Sequence, residues 1–336
     1  MTITAPDSSR PRIVIARAIF PEVIEQLAQH FEVESNQADT AWPQDEFIRR
    51  LQGKQGVLTT GGERINVALL AACPDLKICA NMSVGYNNFD VPAMTAAGVL
   101  ATNAPGVLTE TTADFGFALM MAAARRVTES EHYLRAGQWH GWRYDQFAGV
   151  DVHGSTLGVI GMGRIGQGIA RRGALGFGMN VLYHNRNRLS ATDEAAAGNA
   201  RYVTKQELLQ TADHVVLVLP YSAQTRHAIG APELALMKPT ATLTNIGRGG
   251  TVDDVALAAV LRAGRIAAAG LDVFEGEPKV HPDLLVCTNV VLTPHIASAS
   301  LPTRRAMADL AARNLIAHLS GSQPPTPINP EVLGTG

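Results

Sequence analysis

The sequence predicts an α/β protein of two domains with parallel sheets, and three observations carry that prediction. Short apolar runs alternate with helix-compatible segments along most of the chain, the pattern of parallel strands covered on both faces. At 336 residues the chain exceeds the usual size of a single domain. A glycine-rich turn, GMGRIG at 161–166, sits near the middle, between a buried strand and a helical run.

The elements follow in order. Residues 12–16 read as a buried strand and 21–30 as an amphipathic helix, with Val23, Ile24, Leu27 and Ala28 on one face. Strands at 56–59, 76–79 and 99–101 alternate with helices at 65–72 and 91–97. A helix over 108–126 is apolar nearly all round, so it is expected to be buried between domains or against another subunit. Residues 138–144 are dense in aromatics and read equally as a loop pinned to its own core or an arm across a subunit interface. The second unit begins at Thr156, with strands at 156–160, 179–183, 214–219, 241–245, 266–270 and 290–293. Helices are expected at 167–175 and 252–263, the latter ending at Gly264 as a C-cap, and a last helix at 301–319. The Pro- and Gly-rich tail from 320 to 336 is expected on the surface.

Composition narrows the class. The chain is 46% hydrophobic and 17% charged, with a formal net charge of −2, which offers no electrostatic reason to bind nucleic acid or an anionic membrane. Three cysteines, Cys73, Cys79 and Cys287, show no metal-ligand spacing and suit a reducing compartment. Residues 1–12 lack the apolar stretch of a signal peptide, and no run is long enough to span a bilayer. A soluble, cytoplasmic protein without a metal is expected.

The glycine turn carries the first chemistry. Gly161 permits the tight turn, Gly163 lets a pyrophosphate approach the backbone, and Gly166 lets the helix pack on its strand. The phosphates would rest on N–H groups at the helix N-terminus. Arg248, Glu277 and His295 each sit just past an expected strand, at the edge where open α/β sheets bind ligands. Any one of them alone has a structural explanation, since the chain holds 10 histidines; as a set they point further.

NIGRGG at 245–250, GLDVFEGEP at 270–278 and TPHIAS at 293–298 resemble, in order and spacing, the signature blocks of the D-isomer-specific 2-hydroxyacid dehydrogenases. SVGYNNFD at 83–90, GVLTETTA at 106–113 and LPYSAQT at 219–225 extend the resemblance over nearly the whole chain. DVHG at 151–154, FGMN at 177–180 and NARY at 199–202 look most like the glyoxylate/hydroxypyruvate reductase branch, whose members also reduce 2-ketogluconate. The resemblance implies two Rossmann-like/flavodoxin-like domains with the active site in the interdomain cleft. Residues 1–104 plus 296–336 would form the substrate domain and 105–295 the NAD(P) domain.

The resemblance also implies roles. Arg248 would hold the 2-oxo acid through its planar fork, and the N–H groups of Val84 and Gly85 would bind its carboxylate. His295 would protonate the carbonyl oxygen as hydride arrives. Glu277 would orient the imidazole and favour its charged form, raising its pKa towards working pH. Asp272 would fix the nicotinamide end and Thr112 a phosphate. Arg164, Ile165, Leu219, Pro220, Thr225, Ile246 and Ala297 would line the cofactor together with His295. A homodimer built on the long helix and its aromatic arm is implied, with Trp142 reaching the partner's substrate pocket.

Departures from the family pattern bear on specificity. Where NAD-preferring relatives place an Asp on the ribose, this chain has Asn185, followed by Arg186 and Arg188. Removing the carboxylate and adding two guanidiniums predicts NADP(H) over NAD(H), with NAD(H) as the lesser cofactor. Ala297 stands where many members have Gly. Two rivals share the scaffold. Phosphite dehydrogenases carry a Lys where this chain has Val84, and a dinucleotide-sensing corepressor would need a peptide groove, for which no sequence feature is seen.

Overall fold

The computed structural model describes residues 10–334, and these divide into two compact units. One comprises residues up to Leu108 together with Ser300 onward; the other is Thr109–Ala299. The expected leader over 1–12 falls largely outside the described residues, as do the last two residues of the tail.

The first unit runs β1 (Arg12–Ile15), α1 (Pro21–Ala28), β2 (Glu32–Ser35), α2 (Gln44–Leu51), β3 (Gly56–Thr59), α3 (Val67–Ala72), β4 (Ile78–Asn81), α4 (Val91–Ala96) and β5 (Leu100–Thr102). Its five strands are parallel in the order β2-β1-β3-β4-β5, the flavodoxin-like order. β3 and β4 are buried at every residue, as a sheet covered on both faces requires. Two N-caps start helices where the sequence offers a side-chain acceptor: Asn66 takes the N–H of Leu69, and Asp90 that of Ala93.

The second unit runs α5 (Thr109–Ala124), α6 (Val127–Arg135), β6 (Thr156–Ile160), α7 (Arg164–Arg171), a π-helical turn (Arg172–Gly176), β7 (Asn180–His184), α8 (Ala191–Ala196), β8 (Arg201–Tyr202) and α9 (Lys205–Thr211). It continues through β9 (His214–Leu217), α10 (Ala231–Leu234), β10 (Thr242–Asn245), α11 (Asp254–Arg262), β11 (Ala268–Leu271), α12 (Pro282–Leu285) and β12 (Val290–Leu292). The chain then returns to the first unit through α13 (Leu301–Leu319) and a 3-10 turn, Pro330–Gly334. Seven parallel strands lie in the order β12-β11-β10-β9-β6-β7-β8. That is a doubly wound Rossmann order whose direction reverses between β6 and β9, beside the glycine turn.

Two strands were not expected from the sequence, and two open readings are narrowed. β2 and β8 carry polar residues and lie at sheet edges, so they lack the apolar run that marks a central strand. The apolar helix α5 finds its cover within its own unit. A Cβ on Gly270 of β11 would meet Leu119 Cγ at 2.8 Å, and one on Gly168 of α7 would meet Ala113 Cβ at 2.9 Å. Its Phe117, Leu119 and Met120 are buried there, each worth roughly 1.5–3 kcal/mol of transfer free energy. The aromatic segment is not pinned to a core: Trp142 and Tyr144 are 81% and 87% exposed.

All three cysteines are free thiols, and burial pushes each thiol upward. Among the described residues there is no cluster able to hold a metal, and no helix long and apolar enough to cross a membrane.

Candidate active site

Three consecutive parallel strands deliver Arg248, Glu277 and His295 beyond their carboxyl ends. Asn245 closes β10 and shapes the turn that follows: its Oδ1 accepts the N–H of Gly247 at 3.1 Å, and its Nδ2 donates to Thr251 Oγ1 at 3.2 Å. Arg248 sits on that turn, partly buried, with Nη1 donating to the Gly247 carbonyl at 2.8 Å. Burial pulls the guanidinium below its ordinary range and the charge of Glu277 opposes this; it stays a cation at any working pH.

The turn bearing Arg248 rests on the loop after β11. A Cβ at Gly249 would lie 1.7 Å from the Phe274 carbonyl oxygen, so the two loops touch backbone to backbone and no other residue fits. From that loop Glu277 reaches His295. The Nδ1–H of His295 donates to Glu277 Oε2 at 2.8 Å, while Glu277 Oε1 accepts the N–H of Phe274 at 2.9 Å. An ionised carboxylate only accepts, so this contact puts the proton on Nδ1 and turns Nε2 towards other chemistry. Burial alone would raise the Glu277 carboxyl. The hydrogen bond and charge of His295, the Phe274 N–H and the charge of Arg248 together hold it below the usual carboxylate range.

His295 itself stands in the left-handed region at φ +54°. Non-glycine residues occupy it only when their surroundings insist. Asp272, fully buried at the end of β11, supplies the constraint. Its Oδ1 accepts the Thr293 hydroxyl at 2.7 Å and the Ile296 N–H at 2.8 Å, and Oδ2 accepts the Ala297 N–H at 2.8 Å. Asp272, expected at the nicotinamide, thus spends its acceptors on the loop that bears His295.

The dinucleotide elements lie in the same unit. Gly161 takes φ +100°, and a Cβ there would meet Val218 backbone atoms at 2.8 Å, so only glycine closes the turn. Gly166 packs against the Gly161 carbonyl, whereas a Cβ on Gly163 would have open space. No side chain caps α7, which leaves the N–H groups of Arg164, Ile165 and Gly166 in its first turn without intrahelical partners. Thr112, in the first turn of α5, keeps its hydroxyl buried without a partner among the described residues. Leu219 is packed closely by Gly247, and Thr225 braces its own loop, its hydroxyl donating to the Pro220 carbonyl at 2.7 Å. Ile246 and Ala297 are buried.

The basic loop after β7 divides its residues unequally. Asn185 Oδ1 accepts the Met162 N–H at 2.7 Å and so braces the glycine turn. Arg188 donates twice to Glu194, at 2.8 and 2.9 Å, and the Tyr183 hydroxyl donates to the same carboxylate at 2.7 Å. Arg188 and Tyr183 hold the Glu194 carboxyl down to about 2. Arg186 is exposed and has no ion pair among the described residues.

Val84 and Gly85 belong to the other unit, on the loop after β4. Asn81, fully buried, donates to the Gly85 carbonyl at 3.0 Å, and Asn103 Nδ2 donates to the Val84 carbonyl at 2.7 Å. Their N–H groups make no hydrogen bond among the described residues. The sequence reading missed Asn81 and Asn103. A polar residue closing a fully buried strand was the available signal.

Residues 117–297 match the D-isomer specific 2-hydroxyacid dehydrogenase NAD binding domain. A glyoxylate reductase of Thermococcus onnurineus is 45% identical over 328 residues, covering 96% of this chain and 97% of its own. The structure of an NADPH-dependent glyoxylate/hydroxypyruvate reductase from Sinorhizobium meliloti, in complex with NADP and malonate, superposes with a TM-score of 0.85. It is 37% identical, over 95% of this chain and 97% of that one. A glyoxylate reductase from Paecilomyes thermophila gives a TM-score of 0.86 at 31% identity, over 96% and 99%. Likeness of this extent, joined to an imidazole–carboxylate pair at the edge of a doubly wound sheet, decides the matter: the chain belongs to the D-isomer specific 2-hydroxyacid dehydrogenase family.

Proposed function

We propose that this chain reduces a small 2-oxo acid to the D-2-hydroxy acid, with NADPH preferred over NADH. Glyoxylate and hydroxypyruvate are the first substrates, and 2-ketogluconate comes next. The observation that carries the reading is the 2.8 Å contact from His295 Nδ1–H to Glu277, which leaves Nε2 to give a proton. The names of the relatives support the choice of acids.

The residues fit a dinucleotide. Open space at Gly163, the uncapped start of α7 and the unpartnered Thr112 hydroxyl supply room and donors for phosphates. When bound, the nicotinamide supplies the hydride. Arg248 neutralises the substrate carboxylate and polarises the 2-oxo group through its fork of donors. The N–H groups of Val84 and Gly85 are further carboxylate donors. His295 Nε2 delivers the proton to the carbonyl oxygen, so hydride at carbon and proton at oxygen together make the hydroxy acid. Glu277 accepts from Nδ1–H and so orients the imidazolium, whose Nε2–H is the proton delivered, and Asp272 keeps the His295 loop in place.

Arg186 is the cation we assign to the 2′-phosphate, since Glu194 already holds Arg188. Residues 109–299 would take the cofactor and supply Arg248 and His295, and the other unit would supply Val84 and Gly85. The exposed Trp139, Trp142 and Tyr144 would be covered in a homodimer, and three free thiols suit the cytoplasm. The test is cofactor oxidation by purified protein, NADPH against NADH, with glyoxylate, hydroxypyruvate, pyruvate and 2-ketogluconate. Strong turnover with NADPH and a hydroxylated or two-carbon acid is expected. Turnover with NADH alone would overturn the cofactor assignment. No turnover with any pair would overturn the choice of substrates.

A further inference from the structure

The unit that carries Val84 and Gly85 has a cavity of about 470 Å³ at the carboxyl ends of β1, β3 and β4, lined in part by Arg17, Asp39, Thr60, Met82 and Arg304. In the order β2-β1-β3-β4-β5 the winding reverses between β1 and β3, so the cavity lies where open α/β sheets form ligand crevices. Its volume falls within the ~300–1,000 Å³ of ordinary ligand pockets, far more than a two-carbon acid fills.

Its polar groups include an ion pair that leaves hydrogen-bonding positions over. Arg17 Nε donates to Asp39 Oδ1 at 2.8 Å, and the Ala18 N–H donates to the same oxygen at 3.1 Å. Asp39 Oδ2 and the two terminal nitrogens of Arg17 make no hydrogen bond among the described residues; the nearest other carboxylate, Glu63, stands 4.0 Å from Nη1. Asp39 is held at φ +54°, a conformation that its contacts with Arg17 and Ala18 maintain. The Arg17 hydrogen bond keeps the Asp39 carboxyl below its ordinary range, so it remains an ionised acceptor at neutral pH.

A hydroxyl both donates and accepts, and a fixed guanidinium–carboxylate pair with free positions on each partner answers both needs for neighbouring hydroxyls. A second carboxylate on the ligand would instead meet Asp39. The cavity also adjoins the substrate loop: Met82 lines it, and Ser83, Val84 and Gly85 follow directly in the chain.

We infer that this cavity receives the hydroxylated tail of a longer 2-oxo acid, with Arg17 and Asp39 determining specificity for it. The inference rests on the assignment of Val84 and Gly85 to the substrate carboxylate. The test compares kcat/KM for 2-ketogluconate and glyoxylate in wild type, Arg17→Met and Asp39→Asn. Loss of a charged hydrogen bond should lower the ratio of 2-ketogluconate to glyoxylate by about tenfold or more in Arg17→Met, and by a smaller factor in Asp39→Asn. Gluconate, which cannot be reduced at a 2-oxo group, should inhibit wild-type glyoxylate reduction and lose potency in both variants. An unchanged ratio, a parallel loss on both acids, or a wild type that reduces glyoxylate but not 2-ketogluconate would overturn the inference. A wild type that reduces neither would overturn the proposed function instead.

Discussion

Two groups of strand-end loops in the Thr109–Ala299 unit are built in opposite ways. The loops after β10, β11 and β12, which carry Arg248, Glu277 and His295, are locked by buried groups. Asp272 gathers three donors, Asn245 shapes one turn, and Gly249 lies against the Phe274 carbonyl. The loop after β7 is braced at its start by Asn185 on the Met162 N–H; beyond it Arg186 and Arg188 are exposed, with an ion-pair network on Glu194 holding Arg188. The difference suits the two tasks proposed for these loops. Proton transfer fails when its atoms move by an ångström, whereas attraction of a phosphate by a cation tolerates a mobile side chain. Substitutions in the first group should therefore cost turnover, and in the second, cofactor preference.

The largest effect is expected at His295. His295→Gln removes the proposed proton donor and should lower kcat by roughly 10²–10⁴-fold, with a far smaller change in NADPH affinity when followed by quenching of protein fluorescence. Glu277→Gln comes next, with about 10–100-fold lost from kcat. It also gives a sign for stability. The folded-state Glu277 carboxyl lies below its unfolded value, so it stabilises the fold above the unfolded pKa of about 4.3 and loses this as pH falls through the folded value. Thermal unfolding of wild type and Glu277→Gln should differ at pH 7 and converge in strong acid; a gap that widens on acidification would contradict the assignment. Gly249→Ala tests the packing itself. With only 1.7 Å to the Phe274 oxygen the loops must separate, and overpacking of this kind costs about 1–3 kcal/mol. Reduced kcat with a lowered melting temperature is expected.

Legibility in the sequence follows the same division. The locked loops appear as contiguous blocks, because close backbone contact demands glycine at 249 and a fixed order of polar residues around Arg248, Glu277 and His295. The central strands were legible for a similar reason: burial on both faces leaves an apolar run such as that of β9. What escaped the sequence depends on partners far along the chain. Asn81 and Asn103 look ordinary until their amides are seen on the Gly85 and Val84 carbonyls. The cover of α5 by Gly270 and Gly168 could not be told from cover by a second subunit, since a helix apolar all round carries no direction. Arg188 and Arg186 read alike, and only Glu194, six residues past Arg188, separates them.

That separation supplies the smallest predicted effect and the sharpest test of the surface loop. Arg186 is exposed and without an ion pair among the described residues, while Arg188 is held at two contacts by Glu194. A 2′-phosphate approaching Arg188 must compete with a carboxylate whose pKa near 2 keeps it ionised at any working pH. Arg186→Ala should raise the KM for NADPH about 5–10-fold and leave that for NADH within about twofold, the loss of one exposed charge contact on a phosphate. Arg188→Ala should change the NADPH KM less, because it removes a brace and not the contact. Glu194→Gln weakens the hold on Arg188 and should lower the NADPH KM, more so at low ionic strength, where exposed charges act furthest. If Arg188→Ala proved the more damaging of the two, the ion pair with Glu194 would have to open when cofactor binds, and the surface loop would be a moving part and not a fixed one.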